Sequence, residues 1–460
     1  MSGWLAAIAT TLGVDRSILY AVLARVWQVL TGPISQLLLI LYVRPAARDY
    51  YFAFTSMLGL QIFIELGLHV VIINLASHEW ARLRLEDGRP AGDETARWRL
   101  NSLSRMMTRW YAWSAVVFLI ALLVAGWWFF ESAEQARQTA DAASREVVKW
   151  VGPWSVLAGL ISLQLTLLPR LSILEGCHQV ASLYRTRFWQ AIAGTVAVWI
   201  CLAAGWELWA LVVSACVRLV GDQYLVRLRY REFFRALQLD PGPTAAVIDW
   251  KHEILPLQWR IAVQGFVFWL AVQLPLLFVF RRHEGDAARL GMTWTILTAA
   301  QGAALAWVET RRPQFGSLIA ERKFPQLDTL FFRVSGISMV LMTVAAVVLS
   351  AFVWLVNRVD LPIAERVAAG LLSPWAALFL SLGFVAQQVS QCVNLYVRAH
   401  NRDPFLLAST FSNLTVAGLQ LWLGWTYGGL GVAAGYFLGV TLVQSPLLTL
   451  IWWRIRRDWH

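Results

Sequence analysis

The sequence predicts an all-α polytopic membrane protein of about twelve transmembrane helices, arranged as two parallel-repeat six-helix bundles. Three observations predict it. Of 460 residues, 58% are apolar and 15% charged. The apolar residues come in blocks of about twenty or more, long enough to cross a ~30 Å hydrocarbon core, and not in the narrower stripes of soluble amphipathic helices. Short stretches in the first half recur in the same order in the second.

Taken in order, apolar runs bounded by charge fall near 18–43, 50–73, 109–130, 150–169, 187–204 and 207–226. The second set falls near 256–280, 288–309, 331–356, 367–396, 405–424 and 428–453. The first run is expected to stay in the mature protein, because Arg16 is its only early cation and no small-residue cleavage site follows a charged leader. Polar stretches between runs are too short to bury a core of their own, so the work of the chain is expected inside the membrane or at its edges. The longest polar join, Arg227–Leu255, follows the sixth run and divides the chain into expected bundles 1–235 and 236–460.

Orientation follows from Lys and Arg. With a cytoplasmic N-terminus, the inside segments carry twenty-four cations and the outside segments ten, so both termini are expected on the cytoplasmic side. Leu75–Met107 and Arg227–Leu255 are then cytoplasmic. The net charge of +11 fits cationic loops beside anionic headgroups. No nucleic-acid partner is implied, because no folded domain is left to carry a basic patch. Cys177, Cys201, Cys216 and Cys392 form no CxxC and no outside pair, so no disulfide framework, metal or cofactor is implied.

The repeat rests on several short matches. Thr55–Gln61 resembles Thr295–Gln301, Leu100-Asn-Ser-Leu103 resembles Leu327-Asp-Thr-Leu330, and Arg25 with Gln28 resembles Arg260 with Gln264. Six spans per copy is an even number, so the copies run parallel, a common transporter plan with the substrate path between halves.

A family resemblance is carried by Arg25–Val43 with Arg48-Asp-Tyr-Tyr-Phe52, Glu65-Leu-Gly-Leu68, Leu174-Glu-Gly176, Ala399-His-Asn-Arg-Asp-Pro404 and Gly429-Leu-Gly431. These stretches resemble the polysaccharide (O-antigen type) flippases of the multidrug/oligosaccharidyl-lipid/polysaccharide (MOP) exporter superfamily. One departure stands out: the first external turn of that family usually carries a glycine before its aromatic, where this chain has Arg48-Asp49-Tyr50. The resemblance implies a V-shaped pair of bundles working by alternating access, and a substrate that is a lipid-diphosphate-linked glycan in the bacterial inner membrane. Membrane lipids are the other expected partner, with H+ or Na+ as candidate coupling ions.

Ionisable groups within spans are costly and are read as functional candidates. Arg25 and Glu65 sit ~10–12 Å in from the expected cytoplasmic face at 1.5 Å per residue, deep enough to pair across neighbouring helices. His69 lies one turn beyond Glu65 on the same face. Two readings stay open: a static ion pair that fixes packing, or a cation that binds substrate while Glu65 and His69 serve coupling. The internal alignment places Leu305 where the second span has Glu65, with Glu309 nearer the edge, so Arg260 has no carboxylate at matching depth and is an expected diphosphate ligand, a snorkelling anchor, or the partner of Glu309. Gln28, Gln61, Gln264 and Gln301 complete the expected substrate set, with interhelical bonding as the alternative. Arg109, Arg218, Asp222 and Arg333 are read as anchors near span ends, and Gln387, Gln391 and Asn394 as a polar stripe.

No nucleotide loop, Ser/His/Asp set or paired carboxylates appear, and the longest outer segment, Glu131–Lys149, has nineteen residues, so an enzyme is not expected. The rivals are a cation-coupled multidrug antiporter of the same superfamily, an integral glycan polymerase or glycosyltransferase, and a non-transporting assembly partner.

Overall fold

In the computed structural model, residues 16–65, 67–140, 148–239, 255–400 and 404–459 are described, and some side chains within these ranges, Arg25 and Arg260 among them, fall outside the description. Twelve helical segments follow one another along these residues. They are Arg16–Tyr42, the pair Pro45–Glu65 with Leu68–Trp80, Glu94–Ala140, Val151–Gly176, Val180–Ala203 and Trp209–Arg229 in the first half. Leu255–Arg282, Asp286–Glu309, Phe324–Val356, Pro374–Ala399 and a final pair within Leu406–Trp459 make up the second. Among the described residues, eight stretches are long and apolar enough to cross a membrane, or nine if the bent pair Pro45–Glu65 with Leu68–Trp80 is counted as one span.

The final stretch is two antiparallel helices. At Gly428 the backbone leaves the helical region, with φ 57° and ψ −134°, a conformation that a residue with a Cβ rarely adopts. The two arms then close on glycines: a Cβ at Gly435 would stand 2.6 Å from the Leu419 carbonyl, and one at Gly439 would stand 2.9 Å from Val416. Small residues at such a seam let backbones approach where no water drives association.

The chain divides into two compact units, Met1–Thr31 with Leu60–Gly265, and Gly32–Gly59 with Phe266–His460. The second half of the first segment, which contains Pro33, and the first half of the second segment therefore belong with the C-terminal helices. In the seventh segment the exchange is reversed, with Leu255–Gly265 falling in the first unit.

In the first unit, polar side chains join neighbouring segments. Trp154 Nε1 donates to the Leu122 carbonyl at 3.2 Å, and Gln164 Nε2 to that of Ala215 at 3.0 Å. Asp222 is not the snorkelling anchor expected. It is only 9% exposed and accepts from Gln190 Nε2 at 2.9 Å, because Gln190 of the fifth segment lies directly across from it.

The expected loop 75–107 is largely ordered. Helix continues to Trp80 and resumes at Glu94, and between them Leu83–Glu86 and Arg89–Gly92 pair as an antiparallel hairpin. Alternating Leu83 and Leu85 before Asp87-Gly88 is the signal for it, since both turn residues adopt positive φ, at 49° and 79°. The hairpin rests on the amphipathic helix Arg231–Leu239, where Arg89 meets Glu232 at 3.3 Å and Phe233 is fully buried against Trp80.

In the second unit, Phe331, Tyr396 and Trp452 form an aromatic core with Val308 and Phe315. At its edge Asp328 accepts from Tyr396 Oη at 3.0 Å and from Arg456 Nε at 3.0 Å, with Arg456 Nη2 on the same oxygen, tying the ninth, tenth and twelfth segments. Deeper in, Gln388 donates to Ser338 Oγ and Ser338 to the Ala304 carbonyl, both at 2.7 Å. The expected stripe of Gln387, Gln391 and Asn394 is only half-buried, while Gln388 is wholly buried, because the packed face of this helix is rotated by one residue from the polar stripe.

Candidate functional site

The second segment is broken, and the bend lies in its part that belongs to the first unit. Helix Pro45–Leu58 ends at Gly59, the short helix Gln61–Glu65 follows, and Leu68–Trp80 continues after a 46° bend. Gly67 supplies the left-handed conformation at the bend, with φ 71°. A broken helix inside a span exposes backbone dipoles that intact helices consume, which is why transporters place substrate and ion sites at such breaks.

Glu65 stands at this break. Its Oε1 accepts a hydrogen bond from Gln61 Nε2, and its Oε2 lies 3.4 Å from His69 Nδ1. The latter is ion-pair distance without hydrogen-bond geometry, so the pair depends on the charge of the imidazole. The carboxylate is 19% exposed and the histidine 43%. Tyr111 of the third segment is fully buried within electrostatic reach of Glu65, and its hydroxyl has no hydrogen-bond partner among the described residues. Gly265 of the seventh segment approaches the same stretch, where a Cβ would lie 3.0 Å from Ile62 Cδ1.

The sequence-predicted residues are thus gathered in part. Gln61, Glu65 and His69 form one contact cluster. Gln264 is half-buried in the same unit, next to the Gly265 contact with Ile62, and Gln28 is exposed on the first segment, whose neighbour Trp27 donates to Thr195 Oγ1 at 3.3 Å. Arg25 and Arg260 lie on backbone of the first unit, and their side chains lie outside the described residues. Gln301 belongs to the second unit, half-buried, with Nε2 unpartnered among the described residues.

Sequence reasoning missed Tyr111, whose neighbourhood reads as ordinary apolar span, and it missed a second constellation at Asp49. In the second unit Asp49 accepts the backbone N–H of Gly285 at 2.7 Å and of Ala288 at 2.8 Å. Asp286 Oδ2 in turn accepts the Gly429 N–H at 2.8 Å, and Arg289 Nε donates to the Ala369 carbonyl at 3.1 Å. The signal was the acidic residue at the first turn, noted as a departure from the resembled family but not assigned a partner. No group of three or more His, Cys, Asp or Glu side chains suited to a metal occurs among the described residues.

Twelve helical segments with a broken second one define a polytopic all-helical fold. Among solved structures, this chain is similar to an inward-facing multidrug resistance MATE family transporter of the MOP superfamily, with TM-score 0.67 and 12% identity over 97% of this chain and 99% of the other. It is also similar to the lipid II flippase MurJ in an inward closed conformation, with TM-score 0.62 and 13% identity over 94% of this chain and 87% of the other. An outward-facing MATE family transporter matches with TM-score 0.56 and 12% identity over 96% of this chain. At such identities the likeness establishes the fold. No protein-family model and no curated protein sequence matches the chain.

Proposed function

We propose that the chain is a transporter that moves a lipid-diphosphate-linked oligosaccharide or polysaccharide unit across the bacterial inner membrane by alternating access, and that it is not an enzyme. The observation that carries this reading is the charged cluster at the broken second segment, Glu65 with Gln61 and His69, within a fold it shares with a lipid flippase. Arg25 and Arg260 supply the guanidiniums for the diphosphate, since a planar fork of donors matches phosphate oxygens two at a time. Glu65 and His69 then serve the cycle by taking up and releasing a proton or by exchanging partners with Arg25.

Purified protein in liposomes tests this reading through binding of a polyprenyl diphosphate-linked sugar against binding of cationic drugs. Arg260→Ala is expected to weaken diphosphate-lipid binding by roughly tenfold or more at wild-type expression. Unchanged binding and transport in that variant would leave Arg260 a headgroup anchor. A second reading, a cation-coupled multidrug antiporter, is favoured by the Glu65–His69 pair itself, because antiporters need a titratable acid where drug and ion compete. Saturable drug binding with no affinity for the diphosphate lipid would decide for it.

A further inference from the structure

In the second unit a short helix, Pro362–Gly370, joins the ninth segment to the tenth. Hydropathy runs the tenth apolar stretch from residue 367, but the helix of that segment begins at Pro374, after a break that starts with extended backbone at Leu371. Leu361 enters the short helix in extended backbone, and Pro362 takes the first helical position, where its missing N–H costs nothing. The far end is tied to the eighth segment: Arg289 Nε donates to the Ala369 carbonyl at 3.1 Å, and the Leu372 N–H donates to Thr293 Oγ1 at 3.2 Å.

Ile363, Val367 and Gly370 stand four and three residues apart and share one face of this helix. Val367 and Gly370 are buried, whereas Ile363, one turn earlier on the same face, is 68% exposed, and Leu361 before it is 58% exposed. The apolar face therefore continues past the edge of the packed segments. Glu365 and Arg366, off that face, are exposed. Apolar side chains scattered singly over a surface need no explanation, but these two lie on the chain between exposed tryptophans at two span ends. Trp354, near the end of the ninth helix, carries the Arg358 guanidinium 3.7 Å from its ring centroid, and Trp375 opens the tenth. Exposed tryptophans at span ends mark the headgroup level. The ninth helix leads up to that level with a bare apolar face of Val340, Val344, Val347, Val348 and Leu355, the side that meets lipid. Arg358, Asp360, Glu365 and Arg366 carry two charges of each sign, so charge attraction favours no ionic partner here.

We propose that Pro362–Gly370 is an interfacial helix whose partner is the lipid surface: Leu361 and Ile363 enter the acyl boundary of the leaflet at this end, while Glu365 and Arg366 stay among the headgroups. Lipid is the occupant because the bare face follows directly on the lipid-facing side of the ninth helix and lies between the two belt tryptophans. With its far end bonded to Arg289 and Thr293, the helix links the eighth segment to the leaflet.

The test uses the full-length protein with one copy in each phosphatidylcholine nanodisc, which excludes a second copy as the cover. Cys216→Ser removes the exposed native thiol, since Cys177, Cys201 and Cys392 are buried. In that background Ile363→Cys, Leu361→Cys and Glu365→Cys each carry a polarity-sensitive nitrobenzoxadiazole label. Each is quenched in turn by iodide in the water and by phosphatidylcholine bearing a nitroxide high on its acyl chain. At positions 363 and 361 the emission should shift to the blue and the nitroxide lipid should quench it. Iodide quenching there should fall severalfold below that at position 365, on the other face of the helix. Leu361→Cys, ahead of the helix, keeps the test decisive if Ile363→Cys folds poorly. Iodide quenching at 363 and 361 equal to that at 365 would overturn the proposal. So would shielding from iodide without quenching by the nitroxide lipid, which would mean that protein covers this face.

Discussion

Asp49, on the second segment, accepts the backbone N–H of Ala288, on the eighth, at 2.8 Å. The eighth helix begins at Asp286 with Gly285 as its cap residue, and glycine has no side chain to satisfy the first-turn N–H groups. Asp49 does that work from another segment, taking the Ala288 N–H that a capping Ser or Asp would otherwise take and also the N–H of Gly285 itself, and its negative charge faces the positive end of the helix. Asp49 is fully buried, so water offers no substitute.

Asp49→Ala is therefore expected to lose about 1–3 kcal/mol of stability by stranding buried N–H groups. Asp49→Asn should lose less, because its carboxamide oxygen keeps one acceptor. Thermal unfolding of the purified variants in detergent measures both, and a melting temperature for Asp49→Ala equal to wild type would remove the cap from this account.

Gly428→Ala should be worse tolerated than an ordinary helix glycine. The new Cβ would collide with Asp286 Oδ2 in backbone of positive φ, and the displaced carboxylate would release the Gly429 N–H. A loss of about 1–3 kcal/mol is expected, read as lower yield of monodisperse protein and earlier unfolding. Gly302→Ala, in open space on the eighth segment, is the neutral comparison.

Asp328→Asn should loosen the end of the second unit by about 1–3 kcal/mol, since Arg456 loses its charged partner and Tyr396 its acceptor's charge. Limited proteolysis should then release fragments from the C-terminal helix Ser445–Trp459 before global unfolding. Simultaneous loss of the whole chain would mean that the three segments are held by their aromatic packing alone.

Glu65 and Arg25 can be separated by exchange. If the two are only structural partners, Arg25→Glu with Glu65→Arg should restore both folding and transport lost in each single variant. If Arg25 also holds substrate, the exchange should restore folded protein while transport stays dead. Recovery of full transport counts against the substrate role.

The Lys and Arg bias leads us to expect the hairpin turn at Asp87-Gly88 in the cytoplasm. Alkaline phosphatase fused there should be inactive and a cytoplasmic reporter active. The opposite pattern would invert the topology and with it the depth assigned to Arg25 and Glu65.

Much of the architecture was legible because a bilayer reduces folding to a question of length and polarity. Twelve apolar blocks flanked by charge could be read directly, and so could the Thr55 and Thr295 match, whose hydroxyls both donate to the carbonyl four residues earlier, at 3.0 and 2.7 Å. Glu65 and His69 were legible as neighbours from their four-residue spacing, whereas the contact of Gln61 with Glu65 and the break between Glu65 and His69 were not. Segment ends were not, because Trp80, Glu94 and the hairpin between them are polar enough to pass for loop, and hydropathy is blind to helix that continues into water.

What only tertiary structure decided is which segments share a unit and which polar side chains meet. The assignment of residues 32–59 to the C-terminal unit depends on packing between residues more than two hundred positions apart, as in Asp49 with Gly285. Nothing in the local pattern around Asp49 names that partner, because a backbone N–H carries no sequence signature. The bend at Gly67 and the burial of Gln388 in place of Gln387 are likewise outcomes of contact. A sequence of apolar blocks determines that helices cross the membrane, because every backbone group must be satisfied within its own segment; the rotation and pairing of each helix are set by its neighbours, through contacts that hydropathy does not encode.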